Sequence, residues 1–153
     1  MLRIVPALLC ILLLGGCFPL SLFATAGDAY RPYRTSFGMY VANASVNTLC
    51  LSPKLRFAIA QFEGHFGKKV VVSSGYRDPF HNASVGGADG SYHMRCMAAD
   101  FFIPGVSKQR LIAFAMRNGS VGGLGCYPGR PFIHVDVRDR PRGWSRPVTF
   151  SGC

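Results

Sequence analysis

The segment Phe132–Arg138 alternates between apolar and polar side chains from its second residue onward. Side chains two positions apart in a β-strand point to the same face of the sheet. The segment therefore predicts a strand whose three branched aliphatic residues pack on the core. His134 and Asp136 then lie together on the opposite face. A chain with this segment is expected to form a sheet that carries ionisable groups on one surface.

A second apolar segment, Ala98 to Ile103, predicts another strand and carries a carboxylate inside it. The alternation places its other apolar side chains on one face and Asp100 on the opposite face. A carboxylate inside an apolar strand is costly unless it is paired or bound to a ligand. Asp100 therefore has a chemical role or lies at a solvated rim.

Helical spacing and turn residues predict the remaining elements. Ser52-Pro53 begins one helix that ends at Gly67, and Ser107 begins another that ends before Gly119. The other segments are a buried strand at Lys69–Ser74, a loop at Gly75–Ser91, a glycine-rich strand at Gly122–Tyr127 and a linker without clear periodicity from Gly27.

The first 26 residues predict a secretory signal: Arg3 precedes an uncharged apolar run from Ile4 to Phe23. Leu14–Cys17 is similar to a bacterial lipobox, which makes Cys17 a candidate lipidation site and gives a lipid anchor to the membrane. Ala24–Ala26 is a candidate site for ordinary cleavage. A retained transmembrane anchor is the alternative. Each reading predicts export, to the periplasm, to the outer membrane as a lipoprotein, or out of the cell.

Cysteine usage agrees with export. Four cysteines follow the signal, and an even number in an oxidising compartment suggests two disulfides. The sequence has no C-x-x-C pair, which argues against a zinc knuckle. Four cysteines allow three pairings, and their spacing does not choose among them. They are Cys50, Cys96, Cys126 and Cys153.

The charge balance indicates an anionic partner. The 153-residue chain has 17 Lys and Arg against 7 Asp and Glu, a net charge of +10. A basic exported domain tends to meet a polyanion or an anionic surface, such as the cell wall. Export and the absence of a recognisable binding motif argue against nucleic acid as a partner. We expect a monomer.

Four residues are candidates for chemistry: His93, Asp100, His134 and Asp136. Two histidines and one carboxylate with an open fourth position form a common catalytic zinc site. A regular helix would separate His93 and Asp100 by about 10 Å along its axis, so the segment Tyr92–Ala98 has to loop back. The ordinary alternatives are a surface loop histidine, a salt-bridged aspartate and a strand histidine.

Six blocks of sequence occur in the order typical of one family. They are SSGYR at 73–77, HN at 81–82, VGGA at 85–88, SYHMRCMAAD at 91–100, GGLG at 122–125 and FIHVD at 132–136. Together they resemble the zinc D-Ala-D-Ala carboxypeptidase family, in its murein endopeptidase K branch, from about Leu51 to Trp144. The resemblance implies an α+β fold similar to hedgehog-type and lysostaphin-type domains, with a small, mostly antiparallel sheet and flanking helices. It implies a zinc peptidase domain at 51–153, after a linker or N-terminal extension at 27–50.

By position, the resemblance implies that His93, Asp100 and His134 bind Zn²⁺. Arg77 matches a motif arginine that holds a substrate carboxylate or the developing oxyanion, a task that suits a planar fixed cation. The alternative for Arg77 is a structural ion pair with Asp100 or with the aspartate that follows it. His81 matches the loop histidine of the same block, and we expect it to contact substrate.

One departure from the family pattern concerns the catalytic base. Many members carry a glutamate three residues before the last histidine, where this chain has Pro131. Asp136, on the same strand face as His134, is the candidate substitute and would accept a proton from the attacking water. It would equally serve as a carboxylate that orients a ligand.

A second departure concerns Cys96, which stands where the family often has glycine. It suggests a disulfide beside the site. Our working pairing joins Cys50 to Cys96 and Cys126 to Cys153. The first bond would tether the first helix to the metal loop, and the second would tether the tail to the glycine-rich strand.

The resemblance implies a zinc-dependent hydrolase of peptidoglycan peptides that acts in cell-wall remodelling. A murein endopeptidase and a D,D- or L,D-carboxypeptidase use the same site, so the sequence leaves both open. The alternative from another class is a non-catalytic, zinc-containing peptidoglycan-binding module, which the absence of the glutamate supports.

Overall fold

The computed structural model describes residues 30–153. The predicted signal at 1–26, with Cys17, lies outside the described residues. The described part contains seven strands, three α-helices and a 3-10 turn. The strands are β1 (Arg34–Ser36), β2 (Met39–Val41), β3 (Val71–Ser74), β4 (Ala98–Phe102), β5 (Gly123–Gly125), β6 (Ile133–Asp136) and β7 (Val148–Phe150); the helices are α1 (Pro53–Phe66), α2 (Pro79–Ser84) and α3 (Lys108–Ala115), and the 3-10 turn is Tyr92–Arg95.

The strands form one sheet in the order β1-β2-β3-β4-β6-β5-β7. The central neighbours β3, β4, β6 and β5 pair antiparallel, whereas β2 pairs parallel with β3, and β5 with β7. The fold is α+β as predicted, but the sheet is mixed, so the expectation of a mostly antiparallel sheet was wrong. Helix α1 carries the chain across between β2 and β3, and such a crossover makes two strands parallel.

Helix α1 forms where its boundary residues predict it. The Ser52 hydroxyl accepts a hydrogen bond from the Leu55 amide at 3.3 Å, and Pro53 occupies the first turn. Gly67 ends the helix in a left-handed conformation, with φ at 61°. The buried face contains Leu55, Ala58, Ile59 and Phe62.

Two segments predicted to lack regular structure contain elements. The predicted loop at 75–91 includes α2, which begins where the Asp78 carboxylate caps the His81 amide at 2.9 Å. The predicted linker or N-terminal extension at 27–50 contributes β1 and β2 to the sheet. Three-residue strands such as β1 and β2 are too short to show an alternating pattern. The Asp-Pro start of α2 was missed because it lies in a segment rich in glycine and asparagine, which are typical loop residues.

The core lies on one face of the sheet. Phe62 of α1 packs edge-on against Phe101 of β4, with ring centroids 5.0 Å apart. Leu111 of α3 and Val135 of β6 are also fully buried there. Because α1 and α3 cover this face, the ionisable residues of β4 and β6 point to the other. None of the helices within residues 30–153 is long and apolar enough to cross a membrane.

Two disulfides join distant parts of the chain. Cys50 bonds to Cys96, with Cα atoms 5.6 Å apart, and Cys126 bonds to Cys153 at 5.0 Å. The first connects the segment before α1 to the residue after the 3-10 turn. The second holds the chain end beside β5. Both bonds match the pairing that was predicted.

Candidate active site

Strand register brings two of the candidate ligands together. Asp100 of β4 lies directly opposite His134 of β6 in the antiparallel pair. Directly opposite residues in such a pair have their side chains close together on one face. His134 Nδ1 lies 2.9 Å from Asp100 Oδ1, and both side chains are buried.

His93 reaches the same point from an irregular segment. The Ser91 hydroxyl accepts a hydrogen bond from the His93 amide at 3.3 Å and begins the 3-10 turn. Cys96 then adopts a left-handed conformation, with φ at 59°, that redirects the chain into β4. Its carbonyl accepts a hydrogen bond from the Ser52 amide at 2.9 Å. The segment therefore loops back, as the spacing between His93 and Asp100 required.

The three side chains place one donor atom each at a common point. His93 Nε2 lies 3.2 Å from Asp100 Oδ1 and 3.1 Å from His134 Nδ1. A tetrahedral zinc ion with bonds near 2.1 Å separates its ligand atoms by about 3.4 Å. The donor set and its spacing therefore fit one zinc ion bound by two imidazoles and one carboxylate.

The outer hydrogen bonds of both histidines leave the correct nitrogens without protons. His93 Nδ1 lies 2.6 Å from the Gly75 carbonyl oxygen, which can only accept, so Nδ1 donates. His134 Nε2 lies 3.2 Å from Asp136 Oδ2 and donates to that carboxylate. In each neutral ring the other nitrogen then offers a lone pair. Three lone pairs converge, which is the arrangement that a bound cation stabilises.

The electrostatics keep Asp100 ionised. Burial alone would raise its pKa, but the neighbouring imidazoles of His134 and His93 outweigh burial and hold the pKa well below its usual range. Burial likewise opposes the charged form of His134, yet Asp100 and Asp136 together raise the pKa of that imidazole. The pocket therefore favours positive charge between these residues.

Asp136 lies behind His134. Its side chain is fully buried, and Arg138 donates to it from Nε at 2.8 Å and from the backbone amide at 3.1 Å. Although burial opposes ionisation, the hydrogen bonds from His134 and Arg138 lower the pKa of Asp136 to about 2. The two ring nitrogens of an imidazole point away from each other. Asp136 therefore faces Nε2 on the side of the ring remote from the three donor atoms.

Arg77 forms the pair that was its structural alternative. Its guanidinium donates to Asp100 Oδ2 at 2.6 Å and to the Ser74 hydroxyl at 2.8 Å. Asp100 therefore uses one oxygen for Arg77 and presents the other to the two histidines. Arg77 also lines a cleft of about 910 Å³, and the two histidines and Asp100 line the same cleft. The exposed His81 lies at its wall.

The region that is similar to known proteins contains the same residues. A model of the Peptidase M15 family matches residues 33–136, which contain all three ligand candidates. The chain belongs to the Peptidase M15 family.

Curated relatives match over a shorter region. "Peptidoglycan L,D-endopeptidase MepK" of Escherichia coli is 37% identical over 96 residues, which are 57% of this chain and 51% of the relative. "Probable peptidoglycan L,D-endopeptidase MepK" of Haemophilus influenzae is 43% identical over 76 residues, 45% of this chain and 39% of the relative. The chain spans about half the length of the curated relatives it matches, or less. No solved structure gives a significant match.

Sequence reasoning missed three side chains of this Peptidase M15 cleft. Arg138 continues the alternation of His134 and Asp136 on one strand face, a signal that was available. Tyr127 and Phe150 both lie near His134, with ring centroids 6.5 Å and 5.2 Å from the imidazole and 6.4 Å from each other. Burial and the charge of Asp100 raise the pKa of the Tyr127 hydroxyl, which therefore stays protonated. Neither aromatic residue lies in a segment whose pattern indicated a site.

Proposed function

We propose that this Peptidase M15 chain is a zinc-dependent hydrolase of peptidoglycan peptides, and specifically an endopeptidase. The observation that carries the proposal is the convergence of three ligand atoms in an open cleft. His93 Nε2, Asp100 Oδ1 and His134 Nδ1 lie 2.9–3.2 Å from one another. The relatives named as peptidoglycan L,D-endopeptidases favour an endopeptidase over a carboxypeptidase.

Zinc would be held by Nε2 of His93, Oδ1 of Asp100 and Nδ1 of His134. Bound there, it would supply a Lewis acid that polarises the scissile carbonyl and activates water. The His-His-Asp set leaves an open coordination position, which is typical of catalytic rather than structural zinc sites.

We assign Asp136 the orienting role of the two that the sequence left open. Its oxygens accept hydrogen bonds from His134 and Arg138. They lie behind the imidazole, away from the cleft-side nitrogen, so they do not reach a water beside the donor atoms. A carboxylate that fixes the tautomer of a metal-bound histidine raises the affinity of the site.

Arg77 serves two purposes in this proposal. Its bond to Asp100 Oδ2 fixes the carboxylate so that Oδ1 faces the histidines. Its cleft-facing edge offers the remaining N–H groups to a substrate carbonyl or carboxylate. We propose that His81, at the cleft wall, contacts the substrate peptide.

The setting of the reaction is extracytoplasmic. Two disulfides in a small domain are typical of an oxidising compartment. A net charge of +10 would favour docking on the anionic wall. We propose export to the periplasm or cell surface, with Cys17 as the candidate lipid anchor, and a monomeric protein without a nucleic-acid partner.

Muropeptide analysis tests the function. Purified sacculi are incubated with zinc and either the wild-type protein, the His93→Ala variant or the His65→Ala variant. His65 is an exposed histidine of α1 stacked on Phe114 and serves as the matched control. We expect wild type and His65→Ala to remove cross-linked muropeptides, and His93→Ala to leave them intact.

Other outcomes identify the alternatives. Loss of terminal D-Ala alone would make the protein a carboxypeptidase. An unchanged profile with protein bound to the sacculi would favour a non-catalytic binding module. Cleavage by His93→Ala at the wild-type rate would overturn the assignment of the site.

A further inference from the structure

Three guanidinium groups line the cleft, and two of them are used by the protein itself. Arg77 is paired with Asp100 at 2.6 Å. Arg138 is paired with Asp136, and its guanidinium carbon lies 4.3 Å from the ring centroid of Tyr92. Both cations are therefore already compensated by a buried carboxylate.

Arg130 is different. It is exposed and lines the same cleft, and within residues 30–153 no carboxylate lies within ion-pair distance of it. Of the described residues that line the cleft, Asp100 alone is acidic, and it is occupied by Arg77 and the histidines. A positive charge in this cleft is thus available to an anion from outside the protein.

The turn that carries Arg130 is held in place from behind. Lys108 of α3 donates to the Tyr127 carbonyl at 2.8 Å and to the Arg130 carbonyl at 2.9 Å. The Arg130 amide donates to the Tyr127 carbonyl at 3.1 Å and closes the turn. Tyr127 and Gly129 both have positive φ, at 39° and 75°, so the turn has a tight, defined shape. A fixed backbone lowers the entropy lost when the side chain binds a ligand.

We propose that Arg130 is a second carboxylate-binding position in the cleft, separate from Arg77, and that it selects stem peptides with a free carboxylate beside the scissile bond. The inference rests on the proposed function and names the charge state of its substrate. Arg130 forms a charge-assisted hydrogen bond with that carboxylate, and Lys108 is the positioning residue for the turn.

The test compares substrates that differ in one group. Cross-linked muropeptides are prepared with one carboxylate at a time converted to the amide, and kcat and KM are measured for wild type and Arg130→Gln. For the fully free muropeptide we expect Arg130→Gln to raise KM about tenfold with kcat nearly unchanged, as a charge-assisted contact made mainly in binding predicts. In one amidated form, the carboxylate that Arg130 binds has been converted to the amide. For that form, wild type and Arg130→Gln should have the same KM.

Two further variants make the result specific. Arg142→Gln removes an exposed arginine that does not line the cleft and should leave KM unchanged for every substrate. Lys108→Met should raise KM for the free muropeptide but not for that amidated form. The proposal is overturned if Arg130→Gln and Arg142→Gln behave alike, or if the KM ratio of Arg130→Gln to wild type is the same for every amidated form.

Failure of the proposed function has a different signature. If wild type cleaves none of the muropeptides, the hydrolase assignment fails. The same comparison is then made on dissociation constants for the uncleaved muropeptides. A difference between Arg130→Gln and wild type that disappears on amidation still supports Arg130, and equal constants still overturn it.

Discussion

The strand pair β4–β6 and the irregular segment at 75–97 supply the same cluster of donor atoms by different means. Asp100 and His134 need only the register of two neighbouring strands, which places them opposite each other. His93 needs a capping serine, a left-handed cysteine, a disulfide and a backbone carbonyl. The paired register of β4 and β6 positions Asp100 and His134 together, whereas the position of His93 depends on a few separate contacts.

The largest expected effect is the same in both regions. His93→Ala and His134→Ala each remove one of the three proposed zinc ligands, so each variant should lose bound zinc and cleavage of sacculi. Zinc content after dialysis, measured by elemental analysis beside the His65→Ala control, checks this. Retention of one zinc per chain by His93→Ala would show that the irregular segment does not contribute a ligand.

The next effect concerns the support behind the strand ligand. Asp136→Asn removes the charge that fixes the His134 tautomer, and zinc affinity should fall about 10–100-fold. Asp139→Asn is the matched control, because Asp139 is exposed and pairs only with Lys54 among the described residues. Competition with a zinc chelator measures the zinc affinity of both variants. Equal affinities would place the orienting role elsewhere.

Removing the disulfides separates the two regions. Cys50→Ser with Cys96→Ser should lower the free energy of unfolding by about 2–4 kcal/mol and also weaken zinc binding. Cys126→Ser with Cys153→Ser should lower stability by a similar amount and leave zinc affinity close to wild type. Chemical denaturation and zinc titration test the pair. If both double variants bind zinc equally well, the first disulfide does not hold His93 in position.

The smallest expected effect tests the capping serine. Ser91→Ala removes the acceptor of the His93 amide hydrogen bond and should cost about 1 kcal/mol of stability. Ser107→Ala is the control, because Ser107 precedes α3 without a side-chain capping bond. The free energies of unfolding obtained from denaturation curves of the two variants should differ by most of that amount. Coincident curves would remove the cap from the account of the irregular segment.

The same contrast explains what the sequence could predict. Alternation gave the faces of β4 and β6, and burial of a carboxylate in an apolar strand singled out Asp100. Helix α1 followed from its cap, its proline and its final glycine. These signals are local, and the physical rule that reads each one needs no knowledge of the rest of the fold.

The remainder depended on tertiary contacts. The strands β1 and β2 have three residues each and are defined by their pairing, so their sequence carried no pattern. The position of His93 was indicated by the resemblance rather than by spacing. Close packing explains why one residue of the glycine-rich strand has to be glycine, which the sequence alone did not: a Cβ on Gly123 would lie 2.2 Å from Asp136 Oδ2.

The most direct test of the account is a crystal structure of the protein grown with zinc, with anomalous scattering recorded at the zinc absorption edge. We expect one anomalous peak bound by Nε2 of His93, Oδ1 of Asp100 and Nδ1 of His134, with Asp136 bonded to the opposite nitrogen of the His134 ring. A peak bound by Asp136, or the absence of a peak between the three donor atoms, would contradict it.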